Sequence, residues 1–413
     1  MVKIINVIKG TKDILPNDIE TWQLMEEKAL EVFSSYGYKE IRTPIIEATE
    51  LFARGVGDTT DIVNKEMYTF EKSDKSITLR PENTAGVVRS FIENGMARQT
   101  FPVKLWYKGP MFRYERPQAG RQRQFHQVGC EMFGVKEPAA DAEVILTAVN
   151  FLKSLGLNDL SVEINSLGCP TCREQYKQKI KEILKPEFSN LCEDCQVRYE
   201  KNPLRLLDCK VESCQKIFEK PEIKSVIQSN FICEECAEHY AKVKEYLNKA
   251  NVKYAENKLL VRGLDYYNRT VFEIKSNNLG SQNAVCGGGR YDSLVGNLGG
   301  EPVPAVGWAM GMERLFSLIE NKPPSLLDGY IVSNETADAL LLAENLRSQG
   351  LNVEFCMQNK KFTKQLEKAS KVANFALILG EDEIKSNKIS VKNLKTSEQQ
   401  TISVQEVIKL IKG

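Results

Sequence analysis

The stretch FRYERPQAGRQRQFHQVGCE, residues 112–131, decides how this chain is read. Four arginines (Arg113, Arg116, Arg121, Arg123) fall within 11 residues, around Gln118, Ala119 and Gly120. The runs VKLWYKGPMFRYE (103–115) and QFHQVGCEMFG (124–134) alternate as strands do, so the spacing predicts an antiparallel hairpin with an arginine-rich turn. Such a hairpin sets Arg113 on one strand and Phe125, Gln127 and Glu131 on the returning one. A planar guanidinium offers phosphate two parallel N–H donors, and Phe125 suits stacking on a purine. Glu131, on a mostly apolar strand, needs a partner if it is buried.

Four further stretches concentrate chemistry. LRPENT (79–84) places Glu82 and Thr84 two residues apart, on one side of a strand, where they suit an ammonium group; the blander reading is a helix cap by Asn83 or Thr84. VRGLDYYNRTVFEI (261–274) crowds Arg262, Asp265, Tyr266, Tyr267, Asn268 and Arg269 together, as a pocket for a small polar ligand would require. AVCGGGRYD (284–292) has three glycines in a row, which allow close backbone approach. VGWAMGMERLFSLI (306–319) reads as a strand running into a helix. Arg314 at that helix start opposes the macrodipole, which suits an anion.

Around these stretches the chain alternates in texture. Residues 17–35 read as an amphipathic helix built on Trp22, Met25, Ala29, Val32 and Phe33, ended by Gly37. YKEIRTPIIE is extended and broken by Pro44. Residues 65–82 predict a hairpin turning at Ser73-Asp74-Lys75, followed by a helix from about 84 to 94. Residues 138–155 predict another helix and 160–166 a strand. From 169 to 255 the texture becomes helical and cysteine-rich, an inserted module. Strand texture returns over 258–276. The connector NKPPS, 321–325, marks a boundary. The domains expected are thus 1–325, interrupted by 169–255, and 326–413. In the second, β and α segments alternate, which predicts a mainly parallel sheet flanked by helices.

A length of 413 residues corresponds to roughly two to three domains. Hydrophobic residues make up 42% and charged residues 27%, which excludes disordered, collagenous and fibrous classes. Lys and Arg (56) balance Asp and Glu (55), so any basic footprint is local. No run approaches the roughly 20 apolar residues of a membrane span. MVKIINVIKGTKDILP resembles neither a secretory signal nor a transit peptide, so a cytoplasmic location is expected.

Eight of the 11 cysteines lie between Cys169 and Cys236. Cys169/Cys172, Cys192/Cys195 and Cys233/Cys236 are CxxC pairs, and Cys209/Cys214 is a CxxxxC pair. In a reducing compartment this pattern points to structural Zn2+ rather than disulfides, in one or two tetrahedral sites whose pairing is open. Cys130, Cys286 and Cys356 read as small buried side chains.

Taken together, the five stretches resemble the histidyl-tRNA synthetase family of class II aminoacyl-tRNA synthetases, from KGTKDILP at 9–16 to the tail. GYKEIRTPIIE resembles motif 1, with Pro44 at a dimer interface. FRYERPQAGRQRQFHQ is similar to motif 2 and GWAMGMERL to motif 3. LVRGLDYYNRTVFE and GGGRYD resemble the two histidine-specific signatures. Asn83 stands where the family often has Gly.

The resemblance implies an α+β fold: a class II catalytic core on a mainly antiparallel sheet, the Cys-rich helical module, and a C-terminal α/β anticodon-binding domain. It implies ATP-dependent ligation of histidine to tRNA(His) by a homodimer, with Mg2+ accompanying ATP. Arg113 and Arg262 would act at the α-phosphate, Arg121 and Arg314 on the β/γ-phosphates, and Phe125 on adenine. Glu82, Thr84 and Gln127 would hold the histidine amino group. Glu131 and Tyr267 would hold the imidazole, and Tyr291 would close that pocket. Arg116, Gln118 and Arg123 would meet the tRNA acceptor end. A regulatory paralogue of such synthetases is the rival. It loses ATP-binding residues and the anticodon unit, whereas Arg113, Arg262, Arg314 and the 328–413 unit are all here.

Overall fold

The computed structural model describes residues 4–58, 60–118, 120–229, 231–276, 283–319, 326–358 and 360–412. The connector read at 321–325 and Ala119 of the arginine-rich turn lie outside them. The chain divides into two compact units, Met1–Asn321 and Lys322–Gly413.

In the first unit, eight strands among the described residues form one sheet. They are β1 (Lys39–Glu40), β2 (Val103–Phe112), β3 (Gln124–Phe133), β4 (Leu160–Ser166), β5 (Tyr254–Glu256), β6 (Asn268–Ser276), β7 (Ala284–Arg290) and β8 (Ala305–Gly311). Their spatial order is β1-β2-β3-β8-β7-β6-β4-β5. The six central strands pair antiparallel. Each margin carries a short parallel strand of two or three residues.

Strand alternation sorts the side chains of this sheet onto two faces. Val128, Cys130 and Met132 of β3, and Val306, Trp308 and Met310 of β8, join one apolar core. Helices close it, among them Met312–Leu318, which adds Met312, Leu315 and Leu318. The helix Pro16–Ser35 contributes Trp22, Met25, Ala29 and Phe33, spaced three and four apart. Pro138–Ser154 and Glu234–Lys249 complete the layer. Phe33 packs between Trp106 and Trp308, with ring centroids 5.4 and 5.5 Å away.

The opposite face of the sheet carries Gln127 and Glu131. The hairpin expected at 65–82 forms from Tyr68–Lys72 and Lys75–Leu79. Ser73 and Asp74 both take positive φ (49° and 60°), which matches the twist of a two-residue hairpin. It extends into a three-stranded sheet with Ile46–Ala48.

Between β4 and β5 lie the helices Pro170–Leu184, Glu193–Lys201, Glu212–Phe218, Pro221–Gln228 and Glu234–Lys249. The module has its own core, formed by Ile180, Leu184, Leu191, Leu204, Ile217 and Ile227 among others. The last helix instead buries Tyr240, Val243 and Leu247 in the main core. Residues 258–267, read as strand texture, form a loop, and the strand begins only at Asn268. Arg173 and Asn202 of the module hold that loop from outside.

The second unit is a five-stranded sheet: β9 (Leu327–Val332), β10 (Val353–Phe355), β11 (Ala373–Ile378), β12 (Ile389–Asn393) and β13 (Gln399–Ile402), in the order β10-β9-β11-β12-β13. Only the β9–β10 and β9–β11 pairs are parallel, and the last two pairs are antiparallel. The sheet is therefore mixed rather than mainly parallel. β13, QQTI, lacks the apolar alternation that would have announced it.

Candidate active site

On the face of the sheet away from the helices lies a cavity of about 390 Å3. Its floor follows from one alternation in the sequence. In GWAMG, Trp308 and Met310 point into the helix-covered core, whereas Ala309 and Gly311 line the cavity. Gly287 of β7, opposite Ala309, lines it too. Small residues on one face leave room for a ligand while large ones on the other hold the fold.

Nine residues singled out in the sequence meet on this cavity wall: Glu82, Thr84, Arg113, Arg121, Phe125, Gln127, Arg262, Tyr267 and Arg314. They come from four of the five quoted stretches of chain. Arg113 donates from Nε to the Pro81 carbonyl at 2.8 Å, and its guanidinium carbon lies 5.3 Å from the centre of the Phe125 ring. Arg314 donates to the Ala284 carbonyl. Burial lowers the Arg314 pKa, and the neighbouring Arg121 and Arg113 push it the same way. Three like charges facing one cavity are relieved by a polyanion.

Arg262 is fixed by Glu273, with Nη1 2.5 Å from the carboxylate. Burial pulls the Arg262 pKa down, but Glu273, with Tyr267 and Cys286, more than restores it, so the net shift is upward and the charge is held. Burial pushes the Tyr267 phenol up to about 12, against the pull of Arg262, so it stays a neutral hydrogen-bonding group.

At the other end of the cavity, Glu82 accepts the backbone N–H groups of Thr84 (2.8 Å) and Ala85 (2.9 Å). Glu82 therefore caps the helix Thr84–Glu93 in place of Asn83 or Thr84, and it does so at a helix start rather than on a strand. Burial raises its pKa despite those two donors. The carboxamide oxygen of Gln127 is buried and has no hydrogen-bond partner among the described residues. A donor from a ligand would satisfy it.

Glu131 and Tyr291 lie under the cavity rather than on its wall. Glu131 is wholly buried, accepts from Thr84 Oγ1 at 2.7 Å and receives the Tyr291 hydroxyl. Burial pushes its carboxyl up to about 8, with the two hydroxyl donors pulling the other way. Tyr266 and Tyr267 each meet the Tyr291 ring edge to face, with centroids 5.4 and 6.4 Å away, and lie tilted against each other at 4.6 Å.

Arg116 and Gln118 are exposed and off the cavity. Arg123 stacks 3.9 Å above the Tyr114 ring and donates to the carbonyls of Lys9 and Glu115, which ties it to the chain's start. His126 is structural: its N–H and Nδ1 both meet Glu313 at about 3.0 Å.

Some lining residues were not singled out by the sequence reading. Glu115 sits inside the very stretch quoted for its arginines, so adjacency was a usable signal. Glu66, Glu273, Arg205 and Asp208 also line the cavity. Arg205 and Asp208 arrive from the module, and nothing local in their sequence announces it.

The eight module cysteines fall into two groups, Cys169/Cys172/Cys233/Cys236 and Cys192/Cys195/Cys209/Cys214. In each, the ligand atoms lie within 4.8 Å of one another.

Known proteins resemble this chain over nearly its whole length. The family described as histidyl-tRNA synthetase matches residues 10–315, and an anticodon binding domain matches 330–413. A histidine–tRNA ligase of Caldanaerobacter subterraneus subsp. tengcongensis is 48% identical over 416 residues, covering 98% of this chain and 99% of its own. One of Desulfitobacterium hafniense is 48% identical over 408 residues, covering 96% and 95%. The crystal structure of the apo histidyl-tRNA synthetase of S. aureus superposes with a TM-score of 0.82 at 37% identity, covering 99% of this chain and all of its own. An ATP phosphoribosyltransferase regulatory subunit/histidyl-tRNA synthetase from Bacillus halodurans gives 0.66 at 20% identity, covering 92% and 99%, and shows shared fold alone. On the matched length, the identity and the residues gathered at the cavity, the chain belongs to the histidyl-tRNA synthetase family.

Proposed function

We infer that this cavity joins histidine to ATP and passes the histidyl group to tRNA(His). The observation that carries the inference is the meeting of Arg113, Arg121, Arg262 and Arg314 with Glu82, Gln127 and Tyr267 around one 390 Å3 space. A polyanion and a small zwitterion together satisfy those groups, and neither does so alone.

The chemistry needs no protein nucleophile. The histidine carboxylate attacks the α-phosphorus in line, the bond to the bridging oxygen breaks, and diphosphate leaves. The terminal ribose hydroxyl of the tRNA then attacks the acyl carbon, and AMP leaves. Catalysis is positioning plus stabilisation of charge on phosphoryl oxygens. Arg113 and Arg262 serve the α-phosphate, Arg121 and Arg314 the β/γ-phosphates, and Phe125 stacks on adenine. Guanidinium is the suitable cation because it stays charged at any working pH. ATP arrives with Mg2+, which takes few protein ligands; Glu115 and Glu313 face the arginine end of the cavity and offer oxygens.

Glu82, Thr84 and Gln127 hold the histidine ammonium. Glu131 and Tyr267 hold the imidazole nitrogens, with Tyr291 closing behind. A site with buried partners for both nitrogens rejects side chains lacking them by ~10⁴ or more. Arg116, Gln118 and Arg123 take the acceptor end of the tRNA, and the 326–413 domain reads the anticodon. The subunit pairs with a second copy through the Pro44 segment, where Ile45, Ile46 and Phe70 leave apolar surface exposed. Structural Zn2+ in the cysteine module completes the reading, and the enzyme works in the cytoplasm.

Labelled pyrophosphate exchange tests the assignment. With ATP and Mg2+, label is expected in ATP only when histidine is present. Exchange driven by another amino acid, or none with histidine, sinks it.

A further inference from the structure

We propose that the module holds two Zn2+ ions, one in each group of four cysteines, and that the first ion anchors residues 265–269, the part of the histidine loop that carries Tyr267. The anchoring half rests on the histidine-activating reading of that loop; the metal half does not.

The geometry fits a tetrahedral four-thiolate site. Zn–S bonds of about 2.3 Å place sulfurs about 3.8 Å apart at the corners of a tetrahedron. Cys169 and Cys172 have sulfurs 3.5 Å apart, and those of Cys192 and Cys209 are 3.9 Å apart. The first group joins knuckles 61 residues apart in sequence, and each knuckle donates a backbone N–H to the other's sulfur. Cys169 N–H meets Cys236 Sγ at 3.2 Å, and Cys233 N–H meets Cys172 Sγ at 3.1 Å. In the second group Cys192 N–H meets Cys214 Sγ at 3.3 Å. Such donors are the usual outer partners of metal thiolates. Cys169, Cys192 and Cys233 each sit at the start of a helix of nine residues or more, where the positive end of the dipole favours thiolate charge. Binding one Zn2+ exchanges thiol protons for the metal and leaves a centre of net negative charge.

The first group abuts the histidine loop. Gly168, next to Cys169, takes φ +70°, and a side chain there would meet Cys172 Cβ at 2.5 Å. Its carbonyl accepts the N–H of Arg269 at 2.8 Å. Arg269 in turn donates to Glu235, inside the second knuckle, at 2.6 Å. Arg173, directly after Cys172, donates to the carbonyls of Asp265 (2.6 Å) and Tyr267 (3.1 Å). Both knuckles thus grip residues 265–269. Residues 265–269 carry Tyr267 but none of the groups assigned to ATP: Arg113, Arg121, Phe125 and Arg314 lie elsewhere, and Arg262 is held separately by Glu273. Displacing 265–269 therefore touches histidine binding while leaving the nucleotide's own contacts in place.

The test begins with metal counting on the full-length chain purified without chelator. Two zincs per chain are expected, and Co2+ put in their place should give the charge-transfer bands of tetrahedral cobalt thiolate. Zero or one zinc, or an oxygen-ligated octahedral cobalt spectrum, overturns the two-ion proposal. Cys172→Ser should bring the count to one; a retained count of two overturns the grouping. If that variant does not fold, Arg173→Ala decides the anchoring, because it leaves all eight sulfurs in place. It should keep two zincs and weaken histidine binding, by calorimetry, about tenfold with ATP affinity within about twofold, the scale of one charged hydrogen bond. Unchanged histidine affinity, or equal loss for ATP, overturns the anchoring. An unmodified chain that binds no histidine overturns both the catalytic reading and the anchoring, and leaves the metal count standing.

Discussion

Glu131 sits beneath the cavity with the hydroxyls of Thr84 and Tyr291 aimed at its carboxylate. Its folded pKa of about 8 lies above the ordinary 4.5, because burial disfavours the anion. Between those two pH values the folded protein keeps a proton that the unfolded chain has released. Stability therefore falls as pH rises from about 4.5 to about 8, by up to about 1.4 kcal/mol per pH unit from this group. Glu131→Gln removes the titration. Its stability should overtake the parent's most clearly at pH 8, in urea unfolding at pH 5.5 and 8, while histidine binding weakens. Parallel stability curves for the two proteins count against the raised pKa. At this scale the sequence was informative wherever a residue was out of place. Glu131 on an apolar strand and Arg314 at a helix start both announced themselves by an unfavourable position. Glu273 did not, because an acidic residue on a strand is unremarkable until Arg262 is seen beside it.

Strands β7 and β8 do two tasks with one alternation. Gly287 pairs with Glu273 on one side and Ala309 on the other. A Cβ at Gly287 would lie 1.7 Å from an Arg262 nitrogen. Arg262 cannot retreat without leaving Glu273, so Gly287→Ala should dislodge it. Pyrophosphate exchange should lose roughly 10²-fold in kcat, as when one charge-stabilising donor is removed, with a smaller change in KM for histidine. An unchanged kcat would mean that Arg262 is not needed where it stands. Elements with strong periodicity were legible from sequence: the helices Pro16–Ser35 and Pro138–Ser154, and the β2–β3 hairpin. The loop 258–267 was not, since Leu259, Val261, Tyr266 and Tyr267 carry the residue types of a strand. Contacts from Arg173 and Asn202, far off in sequence, set its shape instead. The grouping of the cysteines was hidden for the same reason, because it depends on which helix starts the fold brings together.

The two units bury separate cores. Trp106, Trp308 and their neighbours form one, and Ile331, Leu346, Leu377 and Val391 form another. The arginine and histidine-signature residues all lie in the first. A chain ending at residue 321 should therefore keep histidine-dependent pyrophosphate exchange near the parent rate. Charging of tRNA should fall by at least about tenfold, since one of two linked binding sites is gone. Loss of exchange to the same extent would show that the units do not work separately. The margins of the large sheet have a consequence of their own. β1 spans two residues and β5 three, and Lys39, Glu40 and Glu256 place charge on them. Brief, charged borders give a passing chain almost no ladder to extend. Crowded neighbours therefore find little at these two borders on which to start fibrous growth.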